Sequence, residues 1–165
     1  MYGKRLTLVP LTAAHADVLF PFLADTGLWT YTDESAPAGV DALRERYRRL
    51  ETRRSPDGSQ LWLNWALETR DEGFAGLVQA TVAVLRDEAA VAYVIARRFW
   101  SRGLGTEAVG MLLEFLREQL RVTKAVASVD GRNVPSVRLL RRLGFEETND
   151  SDLTNLRFEL RLTDP

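Results

Sequence analysis

Two glycines stand two residues apart in Trp100-Ser101-Arg102-Gly103-Leu104-Gly105-Thr106-Glu107-Ala108, where a strand-like run gives way to a helical one. The first turn of a helix carries backbone N–H groups without intrahelical partners and the positive end of the helix dipole, so it attracts anions. Glycine at that turn lets a phosphate approach the backbone with no Cβ in the way. The chemistry indicated is recognition of a phosphorylated ligand, and the alternative is a plain tight turn. A second polar pair, Asn133 and Ser136, stands at the head of a short helix, where the ordinary roles are a cap and a solvated hydroxyl.

Two familiar phosphate motifs do not survive the spacing. Gly105 and Gly110 are separated as in a P-loop, but Met111-Leu112 follows where Lys and Ser/Thr must hold phosphate and magnesium. Gly103-x-Gly105-x-x-Ala108, with Asp130 ending the next strand, matches a tolerant dinucleotide-binding fingerprint. That fingerprint needs its glycine almost at the end of the strand, whereas residues 96–101 intervene here, and too little chain follows for a second nucleotide-binding half.

The elements that must position these groups are legible as periodicities. Residues 5–9 alternate and stop at Pro10, giving a strand, and Thr12 can cap a helix carrying Val18, Leu19, Phe22 and Leu23, which Pro21 is expected to kink or split. Residues 25–40 read as loop, and residues 41–54 as a helix with Leu43, Tyr47 and Leu50 on one face, ended by Ser55-Pro56-Asp57-Gly58. Leu61, Leu63, Trp65 and Leu67 alternate with Trp62, Asn64, Ala66 and Glu68, the pattern of a strand with one buried face. Strands over residues 74–85 and 89–95 follow, joined around Arg86-Asp87-Glu88, so three consecutive antiparallel strands precede the first long connection. After Gly105, residues 106–121 form an amphipathic helix, 124–129 a strand and 133–142 a short helix, with Gly144 in the left-handed position past its end. Residues 146–148 and 153–162 close the chain as strands. The fold class is α+β (mixed α/β), one domain over residues 1–165 with a mostly antiparallel sheet of about seven strands and about four helices.

Composition narrows the function classes. The 165 residues are 45% hydrophobic and 27% charged, ordinary for one packed globular domain. Lys and Arg number 22 against 23 Asp and Glu, so no global basic field gathers nucleic acid or anionic membrane, and neither is expected as a partner. No Cys occurs, which removes disulfides, thiolate nucleophiles and sulfur-bound zinc and fits a reducing cytoplasm. A single His, His15, leaves no basis for a metal site. No apolar run near the amino terminus has the length of a signal or a membrane span.

The glycine segment and the second motif together resemble the GNAT superfamily of acyl-coenzyme A-dependent N-acyltransferases. That family's pyrophosphate loop reads Gln/Arg-x-x-Gly-x-Gly/Ala at the start of a helix, and Gly103 and Gly105 occupy its two small positions, with Trp100 at the first. Phe99-Trp100, Thr106-Glu107-Ala108 and the opening Lys4-Arg5-Leu6-Thr7-Leu8 are similar to the branch of ribosomal-protein amino-terminal acetyltransferases. Asn133-x-x-Ser136-x-x-Leu139 followed by Leu143-Gly144-Phe145 matches the family's other acyl-CoA-binding element. The resemblance is tight over residues 93–145 and loose before it.

The resemblance implies an N-acetyltransferase that uses acetyl-CoA as acyl donor to a primary amine by direct attack, with no covalent enzyme intermediate and no metal. It implies that the strand before the loop splays from its neighbour, with backbone around Val94 and Ile95 binding the pantetheine arm and polarising the thioester carbonyl. Trp100, Ser101, Arg102, Gly103, Leu104, Gly105 and Thr106 would form the pyrophosphate loop, and Asn133 and Ser136 would contact the pantetheine. Many relatives carry a Tyr acid where Leu140 stands, so Ser136 becomes the candidate acid for the departing thiolate, with bound water as competitor. The strand carboxylate common in relatives is missing. Glu88 is the nearest substitute and more often a turn carboxylate, while His15 and Glu107 are left outside the chemistry. One or two of Arg97, Arg98, Arg102, Arg138, Arg141 and Arg142 would neutralise coenzyme A phosphates.

The acyl acceptor is expected ahead of the glycine motif, where Asp25, Trp29, Tyr31, Asp33 and Glu34 form an acidic and aromatic cluster suited to an amine or simply a loop packed by its aromatics. A protein amino terminus, a polyamine, an amino acid and an aminoglycoside all stay open, as does a homodimer. The missing Tyr and Glu also fit a domain that binds acyl-CoA as a sensor or scaffold without turnover.

Overall fold

The computed structural model describes residues 1–83, 88–148 and 154–162. Seven strands, β1 (Leu6–Pro10), β2 (Gln60–Thr69), β3 (Gly73–Ala83), β4 (Glu88–Ile95), β5 (Lys124–Val129), β6 (Glu146–Glu147) and β7 (Leu156–Arg161), make one sheet in the order β1-β2-β3-β4-β5-β7-β6. Every neighbouring pair is antiparallel except β4 and β5. Four helices, α1 (His15–Leu23), α2 (Val40–Glu51), α3 (Leu104–Leu120) and α4 (Val134–Arg142), and short 3-10 turns at Thr26–Trp29 and Arg97–Phe99 complete the described chain. This is the α+β architecture read from the periodicities, with β2, β3 and β4 as the three consecutive antiparallel strands. No described helix is long and apolar enough to cross a membrane.

The helices cover both faces of the sheet. Leu63, Trp65 and Leu67 of β2 join α3 and α4 in one core cluster, while Ala66 of the same strand joins Ala16, Leu19, Leu43 and Tyr47 beneath α1 and α2. Residues 63–67 are therefore buried without interruption, rather than on the single face the alternation suggested. A strand between two helical layers loses its polar side, which only the neighbours decide.

Several boundaries move for local reasons. α1 runs unbroken through Pro21, which sits near its end where few later residues depend on its missing N–H. Thr12 does not cap it; His15 Nδ1 accepts from the Thr12 N–H at 3.0 Å, so the histidine secures the entry to the helix and packs edge-on against Phe74. α2 ends at Glu51, before the expected turn, because Arg53 adopts a left-handed φ of 57°. Gly144 has the left-handed φ expected after α4, and the Phe145 N–H reaches back to the Leu140 carbonyl at 3.1 Å. The expected β3 residues Val84 and Leu85, the link residues Arg86 and Asp87 and the expected β7 residue Leu153 lie outside the described residues.

Candidate active site

β4 and β5 pair only from Glu88 with Lys124 to Ala90 with Val126. Past that point β4 stays on β3 to Ile95 and β5 stays on β7 to Val129, so the two central strands part. The Ala96 N–H bonds the Ala75 carbonyl at 2.8 Å, and strand alternation turns the backbone of Tyr93 and Ile95 toward the open side and that of Val94 toward β3. Gly76, at φ 147°, admits the Val94 carbonyl where any Cβ would collide with it. The Ile95 carbonyl is held by Trp100 Nε1 at 2.7 Å, which leaves the Ile95 N–H facing the gap.

The loop after β4 ends in Gly103, whose left-handed φ of 75° starts α3 with no side chain capping it. Glu107 makes the first backbone bond into the helix, to the Gly103 carbonyl at 3.1 Å. The N–H groups of Leu104, Gly105 and Thr106 thus form an open first turn on a 17-residue helix, the arrangement that takes a phosphate. Gly105 is glycine for another reason: a Cβ would lie 2.9 Å from Leu139 Cδ1, so its smallness sets how closely α3 lies on α4. Ser101, Arg102 and Gly103 are exposed, Leu104 is buried in the core and Thr106 is half-buried.

Glu107 braces this turn. It accepts from the Arg5 backbone N–H and from Arg5 Nε, each at 2.7 Å, and Arg5 Nη1 donates to the Arg102 carbonyl at 2.6 Å. Burial pushes the Glu107 carboxyl up, but these Arg5 contacts outweigh it and leave the group below its ordinary value. Arg5, from the far edge of the sheet, was not among the sequence candidates. The arginines that were singled out near the loop are engaged with protein. Arg97 binds Asp25 at 2.8 Å, Arg98 donates to the Glu72 carbonyl at 3.1 Å, and Arg102 pairs with the Glu72 carboxylate. Arg141 pairs with Glu147 at 3.0 Å, whereas Arg138 and Arg142 form no ion pair with a described residue.

Asn133 caps α4, its Oδ1 accepting from the Ser136 N–H at 3.3 Å, and its amide nitrogen makes no hydrogen bond to a described residue. Ser136 is half-buried and Leu140, one turn on, is buried. Glu88 sits where β4 and β5 are still paired, at the closed end of the gap, with its carboxylate 2.6 Å from Lys124 Nζ. It is therefore no base for chemistry at the open end.

On the face carrying α1 and α2, a cleft of about 540 Å³ is lined by Trp29, Tyr31, Asp33 and Glu34 from the α1–α2 connection and by Tyr93, Val94 and Asp130 at the parted strands. Four of the five expected acceptor residues meet there. Asp25 does not; its carboxylate is taken by Arg97 and caps the Thr26–Trp29 turn through the Gly27 N–H at 2.9 Å. Asp130, at the end of β5, carries no role in the sequence beyond the dinucleotide fingerprint that the spacing rejects. Here its side chain is one-tenth exposed and bound by Arg132 Nη2 at 2.6 Å, which holds the carboxyl below its ordinary range. Arg132 also lies 5.9 Å from the Tyr31 ring, closing one side of the mouth, and Glu34 pairs with Arg46 at 3.0 Å. Asp33 makes no ion pair with a described residue. No group of three or more potential metal ligands occurs among the described residues.

Residues 5–146 match the acetyltransferase (GNAT) domain family. An uncharacterized N-acetyltransferase, p20 of Bacillus licheniformis, is 24% identical over 158 residues, covering 89% of this chain and 82% of that protein. The spermidine N-acetyltransferase of Vibrio cholerae, solved with CoA and spermine, superposes with a TM-score of 0.81 at 18% identity, covering 97% of each chain. A Vibrio cholerae protein assigned as a ribosomal-protein-serine acetyltransferase gives 0.77 at 21% identity, covering 97% of this chain and 95% of that one.

Proposed function

Starting from a chain that belongs to the acetyltransferase (GNAT) domain family, and hence from an acetyl-CoA-dependent acetyltransferase, we propose that the acetyl group goes to a primary amine held in the cleft beneath the α1–α2 connection. The observation that carries this reading is the parting of β4 and β5 past Ala90, between the uncapped amino end of α3 and a cleft that holds carboxylates. The residues fit the cosubstrate. The left-handed Gly103 and the open first turn suit its phosphates, and the Ile95 N–H and the Asn133 amide nitrogen, neither hydrogen-bonded to a described residue, suit its amide-bearing arm. When bound, acetyl-CoA supplies an acetyl group already activated as a thioester.

Ser136 is assigned the acid. In the transfer the amine forms the new C–N bond and loses a proton; the C–S bond breaks, its electron pair goes to sulfur, and sulfur gains a proton from Ser136, which solvent restores. The Asp130 carboxylate, held ionised by Arg132, is a weak base and a good counter-ion, so it is assigned to the incoming ammonium, with Asp33 of the same cleft as a second carboxylate for the amine, and water takes the proton. The acceptor is a protein amino terminus or a small-molecule amine, and the absence of cysteine supports a reducing cytoplasm as its setting.

The test is a panel of peptides, amino acids, polyamines and amino sugars incubated with acetyl-CoA, with mass detection of product. An N-acetylated amine with matching thiol release is expected. Tight coenzyme A binding without thiol release from any amine would instead make this a sensor or scaffold domain. Ser136→Ala is expected to lower turnover by roughly 10²–10⁴-fold with cofactor affinity nearly intact, while a loss below about threefold would assign the acid to water.

A further inference from the structure

Tyr93 carries a hydroxyl that the fold has no use for. Its ring packs into the core between the sheet and α3 and α4, and its oxygen is shielded from solvent with no hydrogen-bond partner among the described residues. Phenylalanine would fill the same space without stranding a polar group, so the buried hydroxyl calls for an explanation outside packing. It stands three positions past Ala90, on the stretch of β4 that has left β5, and it lines the cleft. The group facing it is Ser136 of α4, near enough to offset part of the effect of burial on the phenol, though no well-formed hydrogen bond joins them.

We propose that Tyr93 is a positioning residue for acetyl transfer: its phenol donates to Ser136 Oγ and so aims the Ser136 O–H at the departing sulfur. The inference rests on Ser136 acting as the acid. A free serine hydroxyl rotates among several directions, and fixing one acceptor site on Oγ fixes where the O–H points. As that proton moves to sulfur, negative charge builds on Oγ, and a phenol already donating there stabilises it. Tyr93 keeps its own proton throughout. Burial pushes the phenol above its ordinary value, which suits a group that must stay a donor wherever the amine is reactive. Its shielded oxygen also explains why it works through Ser136 and does not touch the substrates.

The experiment is a double-mutant cycle with Tyr93→Phe and Ser136→Ala, reading kcat, the KM for acetyl-CoA and thermal unfolding. Tyr93→Phe alone should lower kcat by about 10-fold or more, as befits a residue supporting the acid, with KM within about twofold and no loss of melting temperature. In the Ser136→Ala background the same change should cost less than about twofold, because the two side chains act as one unit. Tyr93→Phe at wild-type kcat, or two losses that multiply, would overturn the inference while leaving Ser136 as the acid. If Ser136→Ala itself is almost silent, the acid assignment falls and Tyr93 with it. Replacing Tyr93 with 3-fluorotyrosine, which strengthens the donor without changing its shape, is a second reading. It should alter kcat in the wild type and leave the Ser136→Ala enzyme unmoved; no change in either overturns the proposal.

Discussion

The amino end of α3 and the cleft under the α1–α2 connection, the two places proposed to hold the donor and the amine, are built in opposite ways. At α3 the binding groups are backbone N–H donors, exposed because Gly103 takes a left-handed turn and no side chain caps the helix. In the cleft the binding groups are side chains from β5, the α1–α2 connection and α2, and two of the three carboxylates, Glu34 and Asp130, are already paired with Arg46 and Arg132. A backbone site recognises what every acyl-CoA shares, whereas a side-chain site can be retuned one residue at a time.

The sharpest way to break this contrast is Gly103→Val. A β-branched residue is poorly accommodated at a φ of 75°, and its side chain would stand at the opening of the turn, 3.4 Å or less from the Arg5 guanidinium. The Kd for coenzyme A should rise about 100-fold, or ~2.7 kcal/mol, in a variant whose circular dichroism is unchanged. Coenzyme A at ~100 times its Kd should correspondingly stabilise the wild type by ~2.7 kcal/mol, NAD should not, and Gly103→Val should lose the effect. A folded variant with unaltered affinity would place the phosphates elsewhere.

Arg132→Ala addresses the other side. Removing the guanidinium frees the Asp130 carboxylate and opens the mouth beside Tyr31, while the Arg132 backbone N–H still bonds Asp130. The KM for amines should shift by about 3- to 10-fold, the size of one charge-assisted contact, with the KM for acetyl-CoA within about twofold. Equal shifts in both constants would show that the two sites are not separable.

The smallest expected effect sharpens the role of Glu107. Its carboxyl is lowered in the folded protein, so its contribution is fully present above its unfolded value near 4.5 and is lost as pH falls through the lowered folded value. Glu107→Gln should therefore be less stable than wild type by about 1 kcal/mol or less at pH 6, and the two denaturation curves should converge as the pH falls through the lowered folded value. A gap that persists in acid would mean that Glu107 acts by packing alone.

Much of the proposed donor site was legible because its signals are local. A left-handed turn demands glycine within one residue, a cap lies three residues from the N–H it serves, and an amphipathic face repeats along one helix. Asn133 and Gly144 stand where those rules put them, and Gly103 stands at the expected turn, where the structure adds its left-handed φ. Gly105 shows the limit, since the same residue type that suits a phosphate turn is here required by Leu139 from another helix.

By itself, the chain determined its strands, its helices, the glycine turn that opens α3 and the chemistry excluded by having no cysteine, because each depends on neighbours within a few residues or on composition alone. Only the tertiary structure decided the rest. It buried Asn64 and Ala66 under α1 and α2, tied Asp25 to Arg97 and so removed it from the acceptor cluster, and sent Glu88 to the closed end of the gap. It also set Arg5 on Glu107, Arg132 on Asp130 and the Tyr93 hydroxyl opposite Ser136. The physical reason is that a charge or a hydroxyl takes its role from whatever lies within a few ångströms, and across a seven-stranded sheet those neighbours come from positions far apart in the chain.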